Sequence, residues 1–362
     1  MVRSAGTPRR TVVTGTCVGT RRSVSRTPGA PGRSVVRTAY HHAMAGERAR
    51  VIVVGAGIAG VACARELVAA GVPVEIRERA RVTGGRMASK RFDGRPADIG
   101  AAYFTVSDPD FARVVEGWRA AGLAREWTDT FVAYGPDGRH TVPGPMRWAA
   151  PRGLRSLVTE LASGLPVVVD RLVLGVEPGP TVDGTPADAV VLAMPGPQAA
   201  LLLDPALTDA TRAVQDQQWT SSLAAVLRFP RRRWPDFAGA FVNNHPVLTV
   251  VCDDGDRRGD GEPVLVAHTT ADFAGRYLLQ PTTAAPAVEQ AVRDLLALPE
   301  RADHVHVHRW TYAKPAAGGA GAYHLDDDGV GLAGDAFGEP RVQTAWRSGR
   351  DLGRELARKL TR

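Results

Sequence analysis

The chain has 362 residues, 44% of them hydrophobic, and a formal net charge of +7; this length suits two domains, or one wound through another, better than a single small core. Its basicity does not imply nucleic-acid binding, because residues 1–50 hold ten Arg against one acid and so carry +9, which leaves −2 on residues 51–362. Cys17, Cys63 and Cys252 make no disulfide framework and fit a reducing compartment; with no run of 18 apolar residues, no membrane span is expected and the cytoplasm is the default location.

Residues 1–48 read as a disordered basic tail, rich in Arg, Ser, Thr, Gly and Pro and without an apolar period. The stretch lacks the apolar region of a secretory signal, although its Arg and Ser bias imitates a transit peptide. Only Lys90, Lys314 and Lys359 are lysines among 45 basic residues, a bias that suggests GC-rich coding DNA, and Met44 stands seven residues before the first strand. The favoured reading is that translation starts at Met44; a peptide from residues 1–43 in native protein would overturn it.

"RVIVV" then reads as a strand buried on both faces. It runs into "GAGIAG", and Val61, Ala64, Leu67 and Val68 continue at helical spacing until Gly71. Val72, Val74 and Ile76 alternate as a second strand, closing a βαβ unit. In that context Gly55 makes the tight turn, Gly57 lets a phosphate approach the backbone, and Gly60 lets helix and sheet pack closely. Glu78 ends the second strand, where an acid can bond an adenosine ribose; it disfavours a 2′-phosphate, although Arg77 and Arg79 keep NADP open. Next comes Gly84-Gly85-Arg86, a loop able to lie along the same diphosphate, where an NAD dehydrogenase would enter another crossover helix.

Further on, "AAVLRF", "VLTVV" and "VLVAH" read as strands and "AAPAVEQAVRDLLALPE" as an amphipathic helix ending before Pro299. "PRRRW" at 230–234 reads as a solvated charged edge, with attraction of substrate phosphates as the alternative. "HVHVHRW" puts His304, His306 and His308 on one strand face; no Cys or acid cluster completes a ligand set, so an exposed face is expected, with one His near the pocket as the alternative, and no metal. Trp310 and Tyr312 share strand parity and form either a flat slot for an aromatic ring or plain core. His268 is either a pocket residue or a hydrogen-bonded core histidine. Asp326–Asp328 read as a solvated turn. A last strand ends in Gly334-Asp335, where Asp335 can accept from a ribityl hydroxyl, and a long helix begins near Val342 with its positive end available to a flavin N1/C2=O edge. Three separated nucleotide elements imply FAD.

These residues resemble flavin amine-oxidase-type FAD enzymes, and within them the bacterial renalase family. The general likeness lies in "GAGIAG…E…GGRM", "VVLAMP" and "GLAGDAF"; the narrower one in "GGRMASKRFDG", "DIGAAYFT", "MRWAAPRGLRSL", "VLVAHTT", "HRWTYAKPA" and "RVQTAWRSG". It covers the chain from about residue 50 onward. The fold implied is α/β with an α+β partner: a discontinuous Rossmann-type FAD-binding domain of the glutathione-reductase/amine-oxidase kind (49–104, 145–200, 325–362) and a second, sheet-containing substrate domain (105–144, 201–324).

Carried over residue by residue, the resemblance implies FAD contacts from Gly55, Gly57, Ile58, Ala59, Gly60, Glu78, Arg79, Gly85, Arg86, Met87, Ala101, Tyr103, Val173, Gly334, Asp335, Arg341 and Val342. It implies a substrate pocket of Tyr103, His245, His268, Trp310, Tyr312 and Trp346. The activity implied is oxidation of 2- or 6-dihydro isomers of NAD(P)H to NAD(P)+, with O2 reduced to H2O2. An amine oxidase or desaturase on the same scaffold is the alternative enzyme, and a flavin-binding protein without turnover the alternative outside catalysis. No Cys lies near the C-terminal flavin segment, so the FAD is expected to be non-covalent.

Overall fold

A computed structural model describes residues 51–319 and 321–362; the basic tail, the Met44 start and Cys17 lie outside them. The β-branched run Val51–Val54 is buried at every position and pairs in parallel with Ala189–Leu192 on one side and Val74–Arg77 on the other. Around it a six-stranded sheet runs His324–Leu325, Val330–Leu332, Ala189–Leu192, Val51–Val54, Val74–Arg77, Val167–Val168, parallel except for the first pair. After Val74–Arg77 the chain makes a 3-10 turn, Gly85–Met87, and the hairpin Ser89–Phe92/Arg95–Asp98 instead of a crossover helix. The C-terminal helix Val342–Leu360 packs on the helix Ile58–Ala69 through two glycines. A Cβ on Gly349 would sit 1.9 Å from Ala59 O, and one on Gly353 2.6 Å from Cys63 O, so only hydrogen fits there.

The second sheet has eight strands in the order His304–Pro315, Trp219–Arg228, Val264–Thr269, Leu248–Asp253, Gly239–Val242, Arg125–Gly135, Gly138–Ala149, Phe104–Thr105. Its last two members move the expected boundaries. Gly138–Ala149 stays in this sheet past 144, and Phe104–Thr105 joins it by pairing Phe104 with Trp148. The expected strands and the helix Ala285–Leu296 are present; that helix covers one sheet face, with Val288 and Val292 in the same core as Leu223, Ala225, Leu265 and Ala267.

The opposite face packs on the hairpin: Ala88, Ala97 and Ile99 cluster with Ala224, Val226, Val264 and Val266. The His304 ring, exposed as expected, and the half-buried His306 ring lie 5.7 and 5.2 Å from that of Phe92 on the hairpin. Asp326 is a correction to the solvated-turn reading: it is buried, and its Oδ1 accepts from Val330 N. No helix among the described residues is long and apolar enough to cross a membrane.

Candidate active site

The glycine turn has one conformation that glycine alone tolerates. Gly55 has φ +107°, and a Cβ there would lie 2.7 Å from Ala193 O. A Cβ on Gly60 would lie 2.1 Å from Gly55 O. Gly57 differs: a Cβ there would meet nothing nearer than Gly85 Cα at 4.0 Å, while one on Gly85 would lie 3.1 Å from Gly57 Cα, so the two glycine loops face each other over missing side chains. Ile58 and Ala59 open a helix that has no side-chain cap and no acid in its first turn. Uncapped amides beside an open backbone cleft fit a diphosphate.

Glu78 is buried and held by the same turn, its Oε2 accepting from Ala56 N at 2.7 Å and its Oε1 from Ala80 N at 2.8 Å. Arg77 is committed elsewhere, to Glu75 Oε1 and Val182 O, and Arg79 is exposed. The loop leading to buried Val173 is tied alongside by Arg171 N donating to Glu78 O at 2.8 Å.

On the other side, Arg86 donates to Asp335 Oδ1 at 2.6 Å and Oδ2 at 2.9 Å and lies over the Trp219 ring. The Asp335 carboxylate is therefore already paired, with lone pairs left for a further donor. Ala101 N donates to Arg86 O, and a Cβ on Gly100 would lie only 1.9 Å from that oxygen. Met87 is buried beside them. Gly334 N donates to Ser348 Oγ, Arg341 pairs with Glu339, and Val342 begins a helix without an acid in its first turn.

The segment 98–103 is anchored from below by buried charges. Asp98 Oδ1 accepts from Ser89 Oγ and Leu154 N, while its Oδ2 lies 2.9 Å from Arg258 Nη2. Arg258 and Arg95 both reach Asp254 Oδ2, at 3.0 and 2.7 Å. Arg257 also pairs with Asp254 and donates to Ala102 O at 2.6 Å. Burial alone would raise the Asp254 carboxyl, yet Arg257, Arg258 and Arg95 hold it down at about 2. Sequence reasoning missed this network and Gly100. The signal was there in "CDDGDRRG", a charged run at the end of a largely apolar strand.

Residues paired across a sheet share a face. The register Phe241, Val250, His268, Ala224, His308 therefore puts these five in one row. Trp310, two residues beyond His308, joins them, its ring 4.7 Å from His308 and its Nε1 donating to Ile99 O at 2.6 Å. Tyr312 follows, half-buried, past an irregularity in the register. At the far end Tyr103 meets Phe131 edge-on at 5.3 Å, and Arg147 lies among Phe131, Tyr103 and Phe241. His268 Nε2 is buried without a partner among the described residues. Burial, then Arg257, pushes the His268 pKa down to about 4, and burial, then His306 and Lys90, does the same for His308. Both are neutral at pH 7.

Two expected pocket residues are not brought to this row. His245 Nδ1 accepts from Val247 N and Leu248 N, both at 3.0 Å, and so caps a strand start. Its pKa is lowered by burial against the opposing charge of Asp294, on the helix that covers the opposite sheet face. Trp346 is 5% exposed, packed on Phe111 at 5.2 Å under Arg350 in the nucleotide-domain core.

Residues 53–118 match the model of an NAD(P)-binding Rossmann-like domain, and residues 115–351 that of a flavin containing amine oxidoreductase. Among curated proteins, putrescine oxidase from Kocuria rosea is 39% identical over 99 residues, 26% of this chain and 20% of that protein. Hydroxyneurosporene desaturase from Rubrivivax gelatinosus is 46% identical over 57 residues, 16% and 11% of the two chains. The matches thus span about a fifth or less of those relatives. Cyclohexylamine oxidase from Brevibacterium oxydans IH-35A shares the fold at a TM-score of 0.69, with 14% identity over 87% of this chain and 100% of that one. Putrescine oxidase bound to putrescine does so at 0.63, with 16% identity over 87% and 99%. A family model spanning most of the described chain, on a fold with an open glycine cradle and an aromatic row facing the hairpin, makes this protein a member of the flavin-containing amine oxidoreductases.

Proposed function

We propose that the protein is an FAD-dependent oxidase that removes hydride from a carbon bonded to nitrogen, with O2 as the final acceptor. The observation that carries this reading is the row from Phe241 to Trp310, an aromatic surface with two neutral histidines on the sheet face opposite the one the helix Ala285–Leu296 covers. Bound FAD would supply the hydride acceptor at N5 and the reaction with O2. The chain's part is to hold, orient and dry the reactants. Gly55, Gly57, Gly60 and Gly85 would leave room for the diphosphate, Glu78 would take the ribose, and the uncapped start of Val342–Leu360 would place positive potential at the flavin N1 edge. The cofactor would be held without a covalent bond: the two described cysteines are both buried, Cys63 under Gly353 and Cys252 within the sheet.

Amines are the first substrate class, in line with the relatives. An amine gives up hydride only as the free base, and a surface with His268 and His308 neutral favours that form over the ammonium. A second reading, the 2- and 6-dihydro isomers of NAD(P)H, is favoured by Trp310, whose indole, set edge-on to His308, offers one aromatic face for a nicotinamide ring. Peroxide release by the FAD-loaded protein from a panel of both donor classes tests the proposal. Peroxide from either class supports it; none from either would leave a flavin-binding protein without turnover.

A further inference from the structure

Arg147 is 4% exposed, and its guanidinium lies 4.1 Å from the Phe131 ring centroid, 5.4 Å from that of Tyr103 and 5.8 Å from that of Phe241. Its Nε and Nη1 are buried and have no acceptor among the described residues. The comparison within the same protein is direct. Arg257 and Arg258 are as deeply buried, and each is paired with a buried carboxylate, Asp254 or Asp98. No described carboxylate pairs with Arg147.

Aromatic faces attract the plane of a guanidinium but give its N–H edges nothing to donate to. A buried cation without counter-ion or acceptor is costly and calls for a partner beyond the protein atoms. Its Nη2 ends against a glycine: a Cβ on Gly144 would come within 3.1 Å of it. Two of the three rings also bound the substrate row. Phe241 heads the register that runs to His268, and Tyr103 lies on the segment anchored by Asp98 and Arg257. His268 and His308 are neutral and do not compete for an anion.

We propose that Arg147 is an anion-reading residue of the substrate site: an oxyanion of the substrate, carboxylate or phosphate, completes its missing hydrogen bonds while the three rings fix its plane. This rests on the reading that the row around His268 receives the substrate. It narrows the substrate from any amine to a nitrogen compound carrying an acidic group.

The test titrates FAD-loaded protein at low ionic strength with benzoate and, separately, with inorganic pyrophosphate, following heat and the flavin difference spectrum. Binding of benzoate alone identifies the carboxylate source and of pyrophosphate alone the phosphate source. Either supports the proposal if Arg147→Met weakens it by about 30-fold or more at unchanged FAD content. Should Arg147→Met fail to load FAD, Arg147→Lys replaces it: the charge stays, the fork geometry is lost, and affinity falls about 5-fold or more. Failure of both anions to bind wild type at millimolar concentration overturns the proposal, as does unchanged affinity in the variant that loads FAD. Binding is read without turnover. An Arg147-dependent anion site in a protein that oxidises no donor would therefore sink the functional reading alone, and turnover without such a site would sink this inference alone.

Discussion

Arg86 and Asp335, 249 residues apart, meet through two hydrogen bonds of 2.9 and 2.6 Å. The pair ties the second glycine loop to the end of the last strand, the two places where a flavin's diphosphate and ribityl chain would lie. Bidentate geometry in a partly buried setting makes it a strong contact. Arg86→Met is expected to weaken FAD binding by about tenfold or more, and Asp335→Asn by less, since the amide keeps one acceptor. Flavin absorbance retained after gel filtration checks both; full retention in Arg86→Met would contradict the assignment.

The two glycines Gly57 and Gly60 should separate cofactor binding from folding. Gly57→Ala adds a methyl group to the open cleft facing Gly85, where the nearest atom is 4.0 Å away. The apo protein should keep its melting temperature and lose FAD. Gly60→Ala drives a methyl group to 2.1 Å from Gly55 O, so the turn must shift, at a cost of about 1–3 kcal/mol. Thermal melts of both apo variants decide this; equal destabilisation would show that Gly57 serves packing instead of phosphate access.

His268 and His308 link stability to acid. Each has a folded-state pKa near 4, below its ordinary 6.5. Between those values the unfolded chain binds more protons, so stability rises with pH through the window and is complete above about 6.5. The wild type should lose melting temperature from pH 6.5 down to 4, and a His268→Gln/His308→Gln double variant should lose less of it. Parallel melting curves for the two proteins would mean that these histidines titrate normally.

Asp254 is a buried carboxylate shared by Arg95, Arg257 and Arg258. Asp254→Asn would leave those cations without their shared counter-charge, a loss of about 3–5 kcal/mol. Urea unfolding monitored by tryptophan fluorescence should show a lower midpoint at unchanged slope. A midpoint equal to wild type would mean the network contributes no stability.

The nucleotide half was legible because its signals are local. Gly55, Gly57 and Gly60 sit between a β-branched strand and an amphipathic helix, and Glu78 follows at the end of the next strand. Even the Asp335 position could be read from a strand end and the helix after it. The substrate half depends on long-range register, which sequence spacing does not carry. His268 and His308 fall in one row only because each pairs with Ala224, from opposite sides of its strand. His245 read as a pocket residue from the elements around it, but its Nδ1 is consumed by two backbone amides. Trp346 lies on the helix side that packs against Phe111, a contact spanning two distant segments. Arg147, in the quoted "MRWAAPRG", was invisible as a buried cation because nothing local says that three rings from other segments enclose it.

The most direct test of oxidation at a carbon bonded to nitrogen is anaerobic absorbance of the FAD-loaded protein at the flavin band. The protein is mixed in turn with short amines, amino acids, and NADH enriched in its 2- and 6-dihydro isomers. The account predicts rapid bleaching by at least one of these donors and peroxide when air is admitted. A flavin that stays fully oxidised with every one of them would contradict it.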